Sequence, residues 1–115
     1  MNKPLCLTTA LPFAMEEPDI AELDVRVLRG LPVDAPWPED DADKVEVMFC
    51  THAPPNIAAF KNLRWLQIES AGFSQLFPHR LGERGIVVTN ARGIFDCPIA
   101  EWNIAMMINL VRDVR

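Results

Sequence analysis

The sequence predicts an α/β fold built on a mostly parallel five-stranded sheet, layered helix, sheet, helix, and three observations carry that reading. Five short runs of β-branched and other apolar residues recur along the chain, at Leu5–Thr9, Val25–Leu28, Val45–Cys50, Trp65–Glu69 and Ile86–Asn90. The gaps between them, about 15 residues each, are too long for hairpins and suit crossovers between parallel neighbours. Half of the 115 residues are apolar and 23% are charged, a globular balance that excludes a disordered, collagen-like or coiled-coil chain. That length supplies one hydrophobic core and has no room for two complete domains.

The elements follow in order. Lys3 and the apolar stretch from Leu5 to Met15 superficially resemble a secretory leader, but Thr8, Thr9 and Pro12 interrupt it, so a buried first strand and a loop are expected. A helix is expected over Glu16–Leu23, where Pro18 fits a first turn because its missing N–H would have no partner there. After the second strand, the acidic stretch Pro36–Asp43 reads as a turn or a single helical turn. Further helices are expected over Pro55–Phe60 and Phe73–Arg84, flanking the fourth strand. The last segment differs. Asp96 is a candidate N-cap and Pro98 a first helical residue, opening a long helix from about Ile99.

On that helix Ile99, Trp102, Met106 and Leu110 share one face, while Ala100, Ile104, Met107 and Val111 line its neighbour. A helix apolar over so wide an arc is normally buried between layers or domains. A five-stranded domain packs at most one side of it, and Arg115 follows within a turn with no capping glycine. The expectation is therefore an interrupted protein, whose isolated chain self-associates through this helix, as a homodimer at least. The apolar stretch Ile99–Val111 is 13 residues long and holds Glu101, Asn103 and Asn109, too short and polar to span a bilayer.

Charge and cysteine usage narrow the partners. With 16 acidic against 11 basic residues the net charge is −5, which lacks the basic footprint that nucleic acid or an anionic membrane demands. Cys6, Cys50 and Cys97 make an odd number without short spacing, so neither a disulfide framework nor a zinc motif reads from them. A cytoplasmic protein fits best.

In a parallel α/β sheet ligands bind beyond the carboxyl ends of the strands, which directs attention to the loops after Thr9, Leu28, Cys50, Glu69 and Asn90. A phosphoacceptor receiver needs acids after the first strand, an aspartate ending the third and a lysine after the fifth. Those places hold Thr8 and Thr9, Cys50, and Ala91. A nucleotide or flavin phosphate loop needs glycines and hydroxyls, and Ala10–Ala14 has no glycine. The informative stretch is Ser70-Ala71-Gly72, small residues at a strand end before an expected helix. Such a run presents backbone N–H groups to an anion such as a carboxylate, and equally serves a tight turn with no ligand.

Three stretches, in order and correctly spaced, cover about half the chain: Leu63-Arg64-Trp65-Leu66-Gln67 running into Ser70-Ala71-Gly72-Phe73, then Leu81-Gly82-Glu83-Arg84-Gly85 running through Ile86-Val87-Val88-Thr89-Asn90 to Ala91-Arg92-Gly93, then Pro98-Ile99-Ala100-Glu101-Trp102. In these the chain resembles the D-isomer-specific 2-hydroxyacid dehydrogenases, specifically their N-terminal substrate-binding domain. The resemblance implies a flavodoxin-like three-layer domain over residues 1–97, and over 98–115 the start of the helix that crosses to a nucleotide-binding domain absent from this chain. It implies hydride transfer between NAD(H) or NADP(H) and a small 2-oxo acid, giving a D-2-hydroxy acid. It also implies that Ser70, Ala71 and Gly72 bind the substrate carboxylate through main-chain N–H groups, with His52, in the loop after the third strand, as a further pocket residue. A lone loop histidine without a positioned partner also reads as simply solvated.

The departures are Ser70, where members of the family often carry glycine, and Ser74, where they often carry aspartate. The substrate is thereby left open. No G-x-G-x-x-G follows any strand, and the family's catalytic arginine, glutamate and histidine belong to its later domain, so no catalytic residue is expected here and the chain alone is expected to be inactive. Neither NAD nor NADP is expected to bind this chain by itself. Arg92 reads equally as a surface loop residue, Glu101 as a first-turn acid favoured by the helix dipole, and Cys97 as a structural thiol. Trp102, Met106 and Met107 read as core or interface. The alternative function is a free-standing α/β module that binds a small carboxylate or a protein partner without catalysis.

Overall fold

A computed structural model describes residues 3–9 and 20–113. Five strands form one sheet: β1 (Leu5–Thr9), β2 (Asp24–Leu28), β3 (Val45–Cys50), β4 (Trp65–Ile68) and β5 (Val87–Thr89). Their order is β2-β1-β3-β4-β5 and every pairing is parallel. This is the flavodoxin-like order, in which the chain first winds to one side of β1 and then reverses. The ladder sets Leu7 beside Arg26 and Met48, and Leu66 beside Met48 and Val88.

Burial follows position in the sheet. Leu5, Cys6, Leu7 and Thr8 of β1 are all buried, as are Val45, Val47, Met48 and Cys50 of β3, because these strands carry cover on both faces. Near-continuous apolar runs are what such strands require. The edge strands β2 and β5 are half-buried or exposed, and Arg26 on β2 reaches out to an ion pair with Asp41. Phe60, Met48, Leu66, Ile68 and Val45 form the centre of the core.

The connections are wound differently from the sequence expectation. Among the described residues, none between the strands forms an α-helix. Ile57–Ala59 is a single 3₁₀ turn within the Pro55–Phe60 stretch, with Ile57 and Phe60 buried against the sheet. So short a segment does not repay the nucleation of an α-helix, and packing of its two apolar residues decides its shape. The helix expected over Phe73–Arg84 is two 3₁₀ pieces, Ser74–His79 and Leu81–Arg84. Pro78 has no N–H to give to Ser74, and Arg80, at φ 48°, turns the chain left-handed between the pieces. Gly85, at φ 71°, closes the second piece, a conformation that costs glycine little. The first expected helix, Glu16–Leu23, lies largely outside the described residues, and its last four form a turn ahead of β2. The loop Ala10–Ala14 lies wholly outside them.

The acidic stretch Pro36–Asp43 is the expected turn region, and it contributes a core residue. Trp37 is buried, and the Asn56 side chain holds it: Trp37 N–H donates to Asn56 Oδ1 at 2.9 Å, and Asn56 Nδ2 donates back to the Trp37 carbonyl at 2.9 Å.

The C-terminal helix α1 spans Asp96–Arg112. It begins earlier than the N-cap reading places it. Phe95 is the capping residue and offers no side-chain bond, while Asp96 sits in the first turn, where its charge suits the helix dipole. Asp113, at φ 48°, ends the helix by donating its N–H to Asn109 O. None of the helical residues is buried, so the expectation that the domain packs one side of α1 is corrected: it buries neither.

Candidate functional site

The loops that leave β3, β4 and β5 meet at the carboxyl edge of the sheet, and side chains tie them together. The last rung between β3 and β4 pairs Cys50 with Ile68, after which Glu69 N–H donates to Cys50 O at 3.1 Å. Thr51 Oγ1 donates to the Glu69 carboxylate. Gln75 Nε2 donates to Thr51 O at 3.3 Å and to Ser70 Oγ at 3.1 Å. From the β5 side, Ala91 N–H donates to Ser70 O at 3.0 Å and Asn90 Nδ2 to Ala71 O at 2.8 Å.

These bonds leave the Ser70–Gly72 loop with a polarity. Ser70 Oγ donates to Gly72 O at 2.7 Å, so the carbonyls of Ser70, Ala71 and Gly72 are all engaged. The N–H groups of Ser70, Ala71 and Gly72 meet no acceptor among the described residues. Ala71 and Gly72 are exposed. A loop whose acceptors are satisfied and whose donors are open favours an anion. The 3₁₀ turn that follows is too short for a helix dipole, so the loop donors act alone. A Cβ at Gly72 would meet nothing within 4 Å, so the fold itself leaves the space over the loop clear. Beside it Phe73 stands edge-on to Phe77, ring centres 5.6 Å apart, giving the open donors an apolar flank.

The structure thus brings Ser70, Ala71 and Gly72 into one braced turn. His52 follows Thr51 on the same edge, exposed and without a polar partner among the described residues. Thr51, Glu69, Gln75 and Asn90, which build the frame, were not legible as site residues. Their one signal in the sequence is that polar side chains cluster just past three strand ends. The two buried thiols, Cys6 and Cys50, are held protonated. Burial, reinforced by the nearby Glu69 charge, pushes Cys50 up to about 12, and burial pushes Cys6 up to about 11. Cys97 is exposed in the first turn of α1, so the structural-thiol reading is corrected. Arg92 and Glu101 are exposed as well, away from any described partner.

The opposite, amino edge of the sheet carries an open cleft lined by charged side chains, among them Arg26, Asp41, Lys44, Glu46 and Arg64. Part of this charge is paired, and the lining as a whole, with six Lys and Arg against four Asp and Glu, stays net positive. Asp41 accepts from Arg26 at 2.6 Å and from Lys44 at 2.7 Å, and those hydrogen bonds hold its carboxyl down at about 2; Arg64 pairs with Glu46. Among the described residues no group of three or more His, Cys, Asp or Glu side chains is placed to hold a metal ion, and no helix is long and apolar enough to cross a membrane.

The structure resembles the crystal structure of phosphoglycerate dehydrogenase from Lactobacillus plantarum, with a TM-score of 0.51 and 24% sequence identity over 94% of this chain. The chain spans 35% of the length of that protein. At this level of identity the likeness is one of fold. No family model matches the chain, and no curated protein does.

Proposed function

We propose that this chain is the substrate-binding portion of an NAD- or NADP-dependent oxidoreductase that interconverts a small 2-oxo acid and its D-2-hydroxy acid in the cytoplasm. The observation that carries the reading is the Ser70–Gly72 loop, with three engaged carbonyls and three N–H groups that meet no acceptor among the described residues, at the carboxyl edge of a flavodoxin-like sheet. Charge-assisted bonds from paired backbone donors are how a carboxylate is held without a basic side chain. The fold likeness to a dehydrogenase and the sequence resemblance in the same stretch support the reading.

Within it the division of labour is plain. Ala71 and Gly72 bind the carboxylate, Ser70 shapes the turn, Phe73 flanks the substrate's short carbon chain, and His52 lines the pocket. The residues of this chain do not fit a dinucleotide: none of the described strands runs through a glycine-rich turn into an α-helix. Cofactor, acid/base group and hydride transfer are therefore assigned to a second domain, residues 98–115 being the start of the connection to it.

Titrating the 115-residue protein with pyruvate, glyoxylate and hydroxypyruvate, followed by amide NMR, tests the binding. Saturable shifts centred on Ala71 and Gly72 are expected. Shifts absent at these two amides for all three acids would overturn the reading. A second reading, a free-standing module that docks a protein, is favoured by α1, on which no residue is buried. The natural gene product decides between them: about 300 residues fits the two-domain enzyme, whereas a stop at Arg115 fits the module.

A further inference from the structure

We propose that Gln75 is the positioning residue of this site, a brace that holds the Thr51 and Ser70 loops at a fixed spacing so that the open N–H groups meet a bound carboxylate preorganised. The inference rests on the reading of the Ser70–Gly72 loop as an anion site, and it adds a residue that neither the motif nor the fold likeness singles out.

Beyond the last β3–β4 rung the two loops are free to part. Past the Glu69 N–H bond to Cys50 O, the side-chain bonds that join them among the described residues are Thr51–Glu69 and those of Gln75, and they act differently. The Thr51 bond ends on Glu69, still at the foot of the loop. Gln75 comes from the far side of the turn, and its amide nitrogen spends both hydrogens, one on Thr51 O at 3.3 Å and one on Ser70 Oγ at 3.1 Å. The brace is anchored, because the next residue, Leu76, is buried in the core.

The second bond has a chemical consequence. By donating to Ser70 Oγ, Gln75 occupies an acceptor site on that oxygen and leaves the hydroxyl proton to reach Gly72 O at 2.7 Å. Ser70 is thereby kept from turning its oxygen on the neighbouring N–H groups, which stay open for the ligand. Without Gln75 the hydroxyl is released to compete with the substrate, and the Thr51 loop, with His52 on it, keeps only its tether to Glu69 at the foot of the loop. Donors fixed before the ligand arrives bind more tightly than donors that must be ordered by it.

The test compares Gln75→Met, similar in length but without donors, and Gln75→Lys, which restores them. Pyruvate is the probe, and amide hydrogen exchange is read with and without it. Gln75→Met is expected to weaken pyruvate binding about tenfold and to speed exchange at Thr51, His52, Ala71 and Gly72, with β3 and β4 protection unchanged, while Gln75→Lys recovers most of both. Wild-type affinity and loop exchange in Gln75→Met would overturn the proposal. If Met at this position unfolds the domain, Gln75→Ser repeats the comparison with a shorter polar side chain. Should the wild-type protein bind none of pyruvate, glyoxylate and hydroxypyruvate, the anion reading fails by itself, and the exchange comparison alone still decides whether Gln75 braces the loops.

Discussion

Residue by residue, the site separates into parts that chain neighbours supply and parts that only folding brings together. Gly72 belongs to the first kind and makes a clean probe. Its backbone is not in the left-handed region and a side chain there would enter open space, so Gly72→Val is expected to keep the fold's thermal midpoint within a few degrees. It should nevertheless obstruct the approach of a carboxylate to the backbone and weaken 2-oxo acid binding at least tenfold, read by amide NMR titration. Unchanged affinity would remove the loop from the binding site. The thiols give a second probe. Ellman's reagent at pH 8 should find one thiol, the exposed Cys97, reacting at once, and Cys6 and Cys50 only after denaturant. Because burial raises Cys50 from 9.0 to about 12, its contribution to stability is whole below pH 9 and is lost as pH rises towards 12. Urea midpoints should fall across that window, and Cys50→Ala should flatten part of the fall. The Ser70-Ala71-Gly72 run was legible as a turn, because small residues follow the apolar run of β4, while the engagement of its three carbonyls was not. Gln75 and Thr51 were not, because 24 residues separate them and only the β3–β4 register makes them neighbours.

At the scale of elements, strands read better than connections. Leu5–Thr9 and Val45–Cys50 stand where the apolar runs predict them, and the other three strands differ by a residue at one or both ends. Interior strands need unbroken apolar runs, and few other structures do. The connections obey local restraints that periodicity does not show, such as Pro78 denying an α-helix its bond and Arg80 reversing the chain. The β2–β3 connection is the clearest case: a stretch that reads as an acidic turn inserts Trp37 into the core, and Asn56, 19 residues on, satisfies both its N–H and its carbonyl. Asn56→Ala leaves those two part-buried groups without partners and is expected to destabilise the protein by about 2 kcal/mol. Urea unfolding followed by Trp fluorescence checks it. A loss under about 0.5 kcal/mol would mean that water replaces the amide at no cost and that the loop holds Trp37 by packing alone.

Over the whole molecule the chain presents more apolar surface than one small core accounts for. Trp102, Ile104, Met107, Ile108, Leu110 and Val111 are all more than half exposed on α1, and Trp65 and Val87 leave part of the β4–β5 face open as well. Burying side chains of this size is worth on the order of 1.5–3 kcal/mol each, against a total stability of about 5–15 kcal/mol for a small domain. Continuous apolar faces of this extent drive association when nothing else covers them. Sedimentation of the 115-residue protein at micromolar concentration is therefore expected to show a dimer or larger species, formed by pairing α1 or exchanging it between copies. Met106→Glu with Leu110→Glu should shift it towards monomer without loss of the β-sheet signal, since neither side chain contributes to the buried core. The arrangement in which a second domain of the same polypeptide covers α1 makes a further demand: a longer protein carrying that domain should be indifferent to the association seen in the short chain, with α1 amides protected from exchange in the monomer unit itself. A 115-residue monomer with no concentration dependence and slow exchange along α1 would show that the helix folds back onto its own domain, and the open faces described here would then be covered from within.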